Sequence, residues 1–264
     1  MTGDRRVALV TGAARGIGAA TTRALTNDGW SVLAVDIDHD VPGLPYRLAT
    51  AADLEAVVAA GPAERLASFV ADVRDPDALA AAVAAAEEHW GGLDAAIACA
   101  GVIAGGVEQR DLPAAAEQAV IDINLGGVLN LARVAVPGLL RRPQPRSGRF
   151  VAVASAAATE GLDKLAAYCA SKAGVAGLIR ALAVELGPTG VTANAVSPGS
   201  TRTAMLDESA RMYDLDDIEA FAHQQPLRRI IEPDEVAAVI AFLAGESSGA
   251  VTGAVIPVDG GFAL

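Results

Sequence analysis

Along the chain, short runs of valine, isoleucine and leucine alternate with longer alanine-rich stretches in which apolar residues recur three and four positions apart. Runs of the first kind read as strands buried on both faces, and stretches of the second as helices laid across them. Seven strands are predicted, near residues 7–11, 31–36, 66–71, 94–98, 149–154, 191–196 and 255–258. Helix ends agree with this reading. Asp75 followed by Pro76 is an N-cap with proline in the first turn, a helix begins near Ile17, and Gly29, Gly91 and Gly187 stand where helices stop. Strands alternating with helices imply a parallel sheet covered on both faces, a doubly wound α/β domain. Such a sheet takes its ligand outside the carboxyl ends of the strands, where strand order reverses.

Two segments exceed this plan. Residues 38–52 lie in a stretch of 36 positions from Asp36 to Asp72, roughly ten more than a strand-helix-strand unit needs. Residues 202–226 carry Met205, Leu206, Met212, Tyr213 and Phe221 among acids, which suits an apolar substrate lid, although half of these would equally pack the lid's own helices. The basic run 141–149 reads as an exposed, solvated turn. No repeat, linker or low-complexity tail divides the chain, so residues 1–264 read as one domain with an insert at 38–52 and a lid at 202–226.

Composition narrows the function. With 52% hydrophobic residues and only 20% charged ones, the bulk of the chain is not disordered. The net charge of −12 repels phosphate backbones, so nucleic acid is not an expected partner. The longest uncharged stretch, 186–201, contains Pro188, Gly190, Pro198 and Gly199 and is not expected to span a membrane. Asp4, Arg5 and Arg6 precede only a short apolar run, which does not read as a signal peptide. Two cysteines, Cys99 and Cys169, make no disulfide framework and fit the cytoplasm. With three scattered histidines and no ligand spacing, the cysteines read as small buried residues and no metal is expected.

The chemistry sits at the ends of the strands. Gly12, Gly16 and Gly18 follow the first strand and open a helix, so backbone amides can approach a dinucleotide pyrophosphate at its N-terminus. Asp36 ends the second strand, where a carboxylate accepts hydrogen bonds from the adenosine ribose and repels a 2′-phosphate; Ile37 offers that phosphate no cation, whereas Arg15 offers one. Asp72 and Val73 are placed to hold the adenine edge, and Asp72 serves equally as a turn residue. Tyr168 and Lys172, four apart, share one helix face. A tyrosine pKa of about 10 must fall by roughly two units for proton transfer near neutrality, and a neighbouring ammonium is the natural source. Ser155, thirteen residues upstream at a strand end, can meet that phenol, and Asn124 can bind a water or a carbonyl and link Lys172 to solvent.

These residues, with the Asn194 to Gly199 turn and the Val258 to Gly261 end, make nearly the whole chain resemble the short-chain dehydrogenase/reductase family in its single-domain branch. The resemblance implies a Rossmann-type fold, NAD as cofactor and hydride transfer between an alcohol carbon and nicotinamide. It implies a tetrad of Asn124, Ser155, Tyr168 and Lys172, with Tyr168 as acid/base and Ser155 polarising the substrate oxygen. Cofactor contacts would come from Gly12, Arg15, Gly16, Ile17, Gly18, Asp36, Asp72, Val73, Ala100, Gly101, Pro198, Gly199 and Thr203, with Tyr168 and Lys172; Val196 and Thr203 would meet the carboxamide. Ser155, Tyr168, Met205, Leu206 and Tyr213 would contact the substrate, a small alcohol or ketone of apolar character. The resemblance also implies a homotetramer, built on alanine-rich helices at 113–140 and 168–186.

The chain departs from the family where it has Ala98, Cys99 and Ala100 before Gly101, which removes two sheet-bracing amides, and where Ala154 replaces a serine. The insert, with Tyr46 to Thr50 followed by Asp53 and Leu54, is similar to a segment of actinobacterial members associated with the peptide-derived redox carrier mycofactocin. That likeness implies NAD held without exchange under a loop over the adenine side. The alternatives are a free-NAD(P) enzyme such as a 3-oxoacyl thioester reductase and a non-catalytic NAD-binding protein.

Overall fold

The computed structural model describes residues 5–264, so Asp4 of the charged start lies outside the described residues. Seven parallel strands run in the order β3-β2-β1-β4-β5-β6-β7. They are β1 Val7–Thr11, β2 Ser31–Asp36, β3 Leu66–Val70, β4 Ala95–Ala98, β5 Arg149–Val153, β6 Thr192–Pro198 and β7 Val255–Val258. The helices are α1 Gly16–Asn27, α2 Ala51–Ala59, α3 Pro76–Trp90, α4 Ala114–Ile121, α5 Gly127–Arg141, α6 Ala166–Leu186, α7 Ala204–Met212 and α8 Pro233–Ala244. A π-helical turn, Asp122–Gly126, joins α4 to α5 in one continuous rod.

Burial on both faces follows from the alternation of side chains along each strand. Val7 and Leu9 of β1 join a core with Leu79 of α3, Leu131 of α5 and Ile179 of α6. Ala8 and Val10 face the opposite core, with Leu25 of α1 and Ile240 and Leu243 of α8. Strand order reverses between β1 and β4, which places the crevice at their carboxyl ends.

Local signals set most helix ends. The Asp75 carboxylate accepts the Asp77 and Ala78 amides, and Gly91 closes α3 at φ 85°. α6 ends at Leu186 with Gly187 as its C-cap, as expected, and a 3₁₀ turn, Gly187–Thr189, follows before the left-handed Gly190 at φ 85°. The helical stretches Ala114–Arg141 and Ala166–Thr189 are long and apolar enough to cross a membrane by length and composition alone. Here their inner faces are buried on the sheet, through Leu131, Ala135 and Leu139 in one and Val175, Ile179 and Ala183 in the other.

The run 141–149 is exposed at Arg141 and at 143–145, as expected of a solvated turn, but its arginines are anchored and its end is buried. Arg141 Nη2 donates to both Glu87 oxygens at 2.7 and 2.8 Å, and Arg142 Nε donates to Asp94 Oδ1 at 2.7 Å. Arg149, 3% exposed, donates through Nε to the Gly245 carbonyl at 3.1 Å and through Nη1 to the Gly148 carbonyl at 3.0 Å. These arginines staple the amino-terminal edge of the sheet. Arg149→Ala should therefore lower the free energy of unfolding by about 2 kcal/mol, the scale of stranding buried carbonyls without donors. Arg110→Ala, which removes only exposed pairs with Glu108 and Asp111, should leave the urea midpoint essentially unchanged. Equal urea midpoints for the two variants would contradict this assignment.

Candidate active site

A cavity of about 670 Å³ opens along the carboxyl ends of the strands, from Asp36 and Asp72 at one end to Tyr168 and the lid at the other. Its near wall is the turn after β1. Gly12 has φ 67°, and a Cβ there would stand 2.6 Å from the Ala100 nitrogen. A Cβ on Gly18 would stand 2.0 Å from the Gly12 carbonyl oxygen, so only glycine lets α1 start this close to β1. Gly16, at φ 55°, packs against Thr203, 3.1 Å from the place a Cβ would take. Arg15, Ile17, Ala100, Gly101, Pro198, Gly199 and Thr203 all line this part of the cavity. Across the crevice, where the family's amides are missing, the Thr11 hydroxyl donates to the Ile97 carbonyl at 3.5 Å and accepts the Ala100 amide at 3.4 Å.

At the far left of the sheet, Asp36 Oδ2 accepts the Ala14 amide and Oδ1 the Ile37 amide, both at 2.8 Å. Burial raises the Asp36 carboxyl above its usual value against these two bonds. Asp72 is paired with Arg74, whose Nε lies 2.9 Å from Oδ2, and His39 Nε2 stands 3.8 Å from the same oxygen. Val73 lines the cavity beside it. Val196, expected at the carboxamide, is wholly buried in β6, and its carbonyl accepts the Ala154 amide at 2.8 Å. From that segment the cavity takes Pro198, Gly199, Ser200, Thr201 and Thr203 instead.

Ser155, Tyr168 and Lys172 together line the lid end of the cavity. Ser155 caps the 3₁₀ turn Ala156–Ala158, its Oγ accepting the Ala157 amide at 3.1 Å. Lys172, 4% exposed, donates from Nζ to the Val153 carbonyl at 2.9 Å, and Nζ lies 5.8 Å from the centroid of the Tyr168 ring. Asn124 is held in the π turn: its Oδ1 accepts the Val102 amide at 2.8 Å, and its Nδ2 donates to the Val102 carbonyl at 2.9 Å and to Ser171 Oγ at 3.2 Å. The structure thus gives Asn124 a carbonyl partner on the strip that separates it from the cavity.

Electrostatics differ from the expectation of a lowered tyrosine. Burial pushes the Tyr168 phenol up, and only a hydrogen bond with the Ser155 hydroxyl draws it back. Burial also pulls Lys172 down to about 8, against the field of Cys99. Both groups shift toward their neutral forms because the same low-dielectric pocket encloses them. Cys99, on the wall of the same cavity, is pushed up to about 12 by burial, which leaves it an inert thiol. Among the described residues, no group of three or more His, Cys, Asp or Glu side chains is gathered to hold a metal ion.

The lid closes the right-hand end. Tyr168 Oη lies 3.9 Å from Met205 Sδ, and Tyr213 Oη donates to the Asp163 carbonyl at 2.5 Å, tying the lid to the turn before α6. Leu206 does double duty, lining the cavity and packing with Ala210, Phe221 and Ile230. Sequence reasoning missed the walls from Val102, Ile103, Leu162 and Leu165, whose only signal is apolar character next to the motifs. It also misplaced Tyr46. The phenol does not stay over the adenine side but reaches the strip after β4, accepting the Ile103 amide at 2.9 Å.

This arrangement of fold, glycine turn and tyrosine-lysine helix is matched by known proteins. The family model described as enoyl-(acyl carrier protein) reductase matches residues 12–263, and the chain belongs to the short-chain dehydrogenase/reductase family of oxidoreductases. It is 35% identical to (−)-trans-carveol dehydrogenase of Rhodococcus erythropolis, over 99% of this chain and 98% of that protein. It is 37% identical to acetoacetyl-CoA reductase of Allochromatium vinosum, over 97% and 98% of the two chains. Among solved structures, carveol dehydrogenase from Mycobacterium avium in complex with NAD superposes with a TM-score of 0.89 at 33% identity, covering 97% of each chain.

The buried lysine carries a stability signature. The folded protein binds the Lys172 proton more weakly than the unfolded chain, whose lysine keeps the ordinary value of 10.5, so stability rises with pH between about 8 and 10.5 and the deficit is complete below that window. Lys172→Met should raise the free energy of unfolding at neutral pH by roughly 2 kcal/mol, after loss of the bond to Val153. It should also flatten the rise across that window. Denaturant titrations along a pH series check this, and parallel pH curves for the two proteins would contradict it.

Proposed function

We propose that the chain is an NAD-dependent oxidoreductase of secondary alcohols and the corresponding ketones, in which Tyr168 moves the proton. The observation that carries this reading is the meeting of Ser155, Tyr168 and Lys172 in one cavity whose other end is the cradle of Gly12, Gly16 and Gly18. The cradle fits a dinucleotide, because side chains there would fill the approach to the α1 amides. Gly12, Arg15, Gly16, Ile17 and Gly18 would hold the pyrophosphate, and Asp36, Asp72 and Val73 the adenosine. Ala100, Gly101, Pro198, Gly199 and Thr203 would flank the nicotinamide half, with Tyr168 and Lys172 on its ribose. When bound, NAD supplies the acceptor or donor of hydride. The Asp36 carboxylate disfavours a 2′-phosphate by like charge, and the relative from Mycobacterium avium was solved with NAD.

The residues then divide the acid-base work. In reduction, Ser155 Oγ and Tyr168 Oη both donate to the ketone oxygen, and the Tyr168 proton transfers to it as the alcohol forms; oxidation runs the same path backward. The Lys172 ammonium stabilises the phenolate left behind. Met205, Leu206 and Tyr213 exclude water from this point. The shared low-dielectric pocket holds Tyr168 protonated at rest, which suits the reductive direction.

Tyr168→Phe should lower turnover about 10²–10⁴-fold while leaving NAD binding intact, as measured on a panel of secondary alcohols and ketones. Near-normal turnover in that variant would sink the assignment. Ketone reduction needs both the Tyr168 proton and the Lys172 charge, so its rate should fall as pH rises through about 8. A profile flat through the alkaline range would contradict that role.

The apolar cavity supports a compact, uncharged substrate. Among the described residues lining it, the cations are Arg15, at the adenosine end, and Lys172. Among the described residues, no lid cation lines the cavity to meet a phosphate-bearing thioester, Arg202 and Arg211 being paired with glutamates outside it. The acetoacetyl-CoA reductase relative favours the second reading, a 3-oxoacyl thioester reductase, and the same panel with an acetoacetyl thioester decides between them. The insert 38–52 further supports NAD held without exchange, reoxidised in place by a carrier of the mycofactocin kind in the cytoplasm. Purified protein should then carry NAD, and free NAD should not sustain cycling where an artificial acceptor does. Loss of retention on deleting residues 39–50 would locate its cause in the loop. Exposed Leu129 on α5 and Val184 on α6, the latter 80% accessible, support association into a homotetramer, which light scattering checks.

A further inference from the structure

Segment 38–52 is fixed at several points along the crevice. Asp40 Oδ1 accepts the Leu48 amide at 2.8 Å, closing the loop on itself, and Thr50 with Asp53 forms a capping box that starts α2. Gly43 lies so near α4 that a Cβ there would stand 2.7 Å from the Ala115 carbonyl oxygen. Between these anchors Tyr46 crosses to the far wall, where its hydroxyl accepts the Ile103 amide at 2.9 Å. Ile103 is 3% exposed, and among the described residues no other acceptor serves that amide. Burial pushes the Tyr46 phenol up to about 12, so it stays a neutral acceptor at ordinary pH.

One residue along, Val102 gives both its amide and its carbonyl to Asn124. One residue further, Gly101 packs where a Cβ would lie 3.3 Å from Asn124 Oδ1 and 3.5 Å from Lys172 Nζ. The strip 101–103 is thus pinned by Asn124 from the π turn and by Tyr46 from the insert.

We propose that Tyr46 is a positioning residue for the proton-transfer group: by holding the Ile103 amide it fixes the strip against which Asn124 and Lys172 rest. The proposal depends on the hydride-transfer reading above. A buried amide that loses its acceptor drives the backbone to seek another. Any such shift is felt at the two Val102 bonds to Asn124 and at Gly101, which packs beside Lys172 Nζ. Small displacements of this kind slow a reaction without weakening substrate binding.

Tyr46→Phe keeps the ring and removes only the oxygen. In the full-length protein, hydrogen exchange at the Ile103 amide should become at least about tenfold faster than in the unsubstituted chain. With both proteins saturated with NAD and given a secondary alcohol that the unsubstituted enzyme oxidises, the first-turnover rate should fall about tenfold. The KM for the alcohol and the NAD content should stay unchanged, and the melting temperature should fall by a few degrees. Unaltered exchange at Ile103, or an unaltered first turnover at equal NAD content, overturns the proposal. Loss of NAD with a normal first turnover overturns it too, because the tyrosine would then act only in retention. Failure of the unsubstituted enzyme to oxidise any alcohol overturns the hydride-transfer reading itself, whereas turnover matched by the variant overturns the positioning role alone.

Discussion

The structure depends on one close backbone approach, between the turn after β1 and the residues that follow β4. A Cβ on Gly12 would collide with the Ala100 nitrogen, and one on Gly18 with the Gly12 carbonyl, at the place where strand order reverses. A side chain at Gly12 would push the first half of the sheet away from the second, and one at Gly18 would push α1 away from β1. That contact sets the width of the crevice and brings α1 to its lip. It also sets the height at which Gly101 passes Lys172, so the cofactor half and the reacting half of the cavity share one reference point.

The second theme is burial of charge-bearing groups where water is excluded. Tyr168, Lys172, Tyr46 and Cys99 all shift toward their neutral forms for one reason, desolvation. The phenols and the thiol therefore rest neutral, whereas Lys172, drawn down only to about 8, keeps its ammonium charge at neutral pH. Ser155 favours the phenolate through a hydrogen bond.

The fold was legible because both faces of the sheet are buried, which leaves near-continuous apolar runs that mark all seven strands to within a few residues. The pairing of Tyr168 and Lys172 was legible because both sit on one helix. What escaped was long-range. Arg149 looked like part of a solvated turn because its carbonyl partner at Gly245 lies 96 positions away, and Tyr46 looked local because Ile103 lies 57 positions away. The direction of the tyrosine shift escaped for another reason. Spacing reveals that an ammonium is near, but desolvation depends on everything that encloses the pair. Gly187 was legible as a helix stop because α6 does end there, although one 3₁₀ turn follows before Gly190 supplies the left-handed residue.

The π turn at Asp122–Gly126 holds one residue more than an α-helix of the same height would. Its extra residue swells the rod where Asn124 reaches Val102. Loss of a single residue anywhere between Asp122 and Gly126 would let the helix relax to regular bonding, and that relaxation would rotate Asn124 off its partner while leaving the rod intact. Length is therefore constrained here as strictly as residue identity is elsewhere. A chain drifting under random insertion and deletion would lose its reacting geometry at this point while keeping its fold.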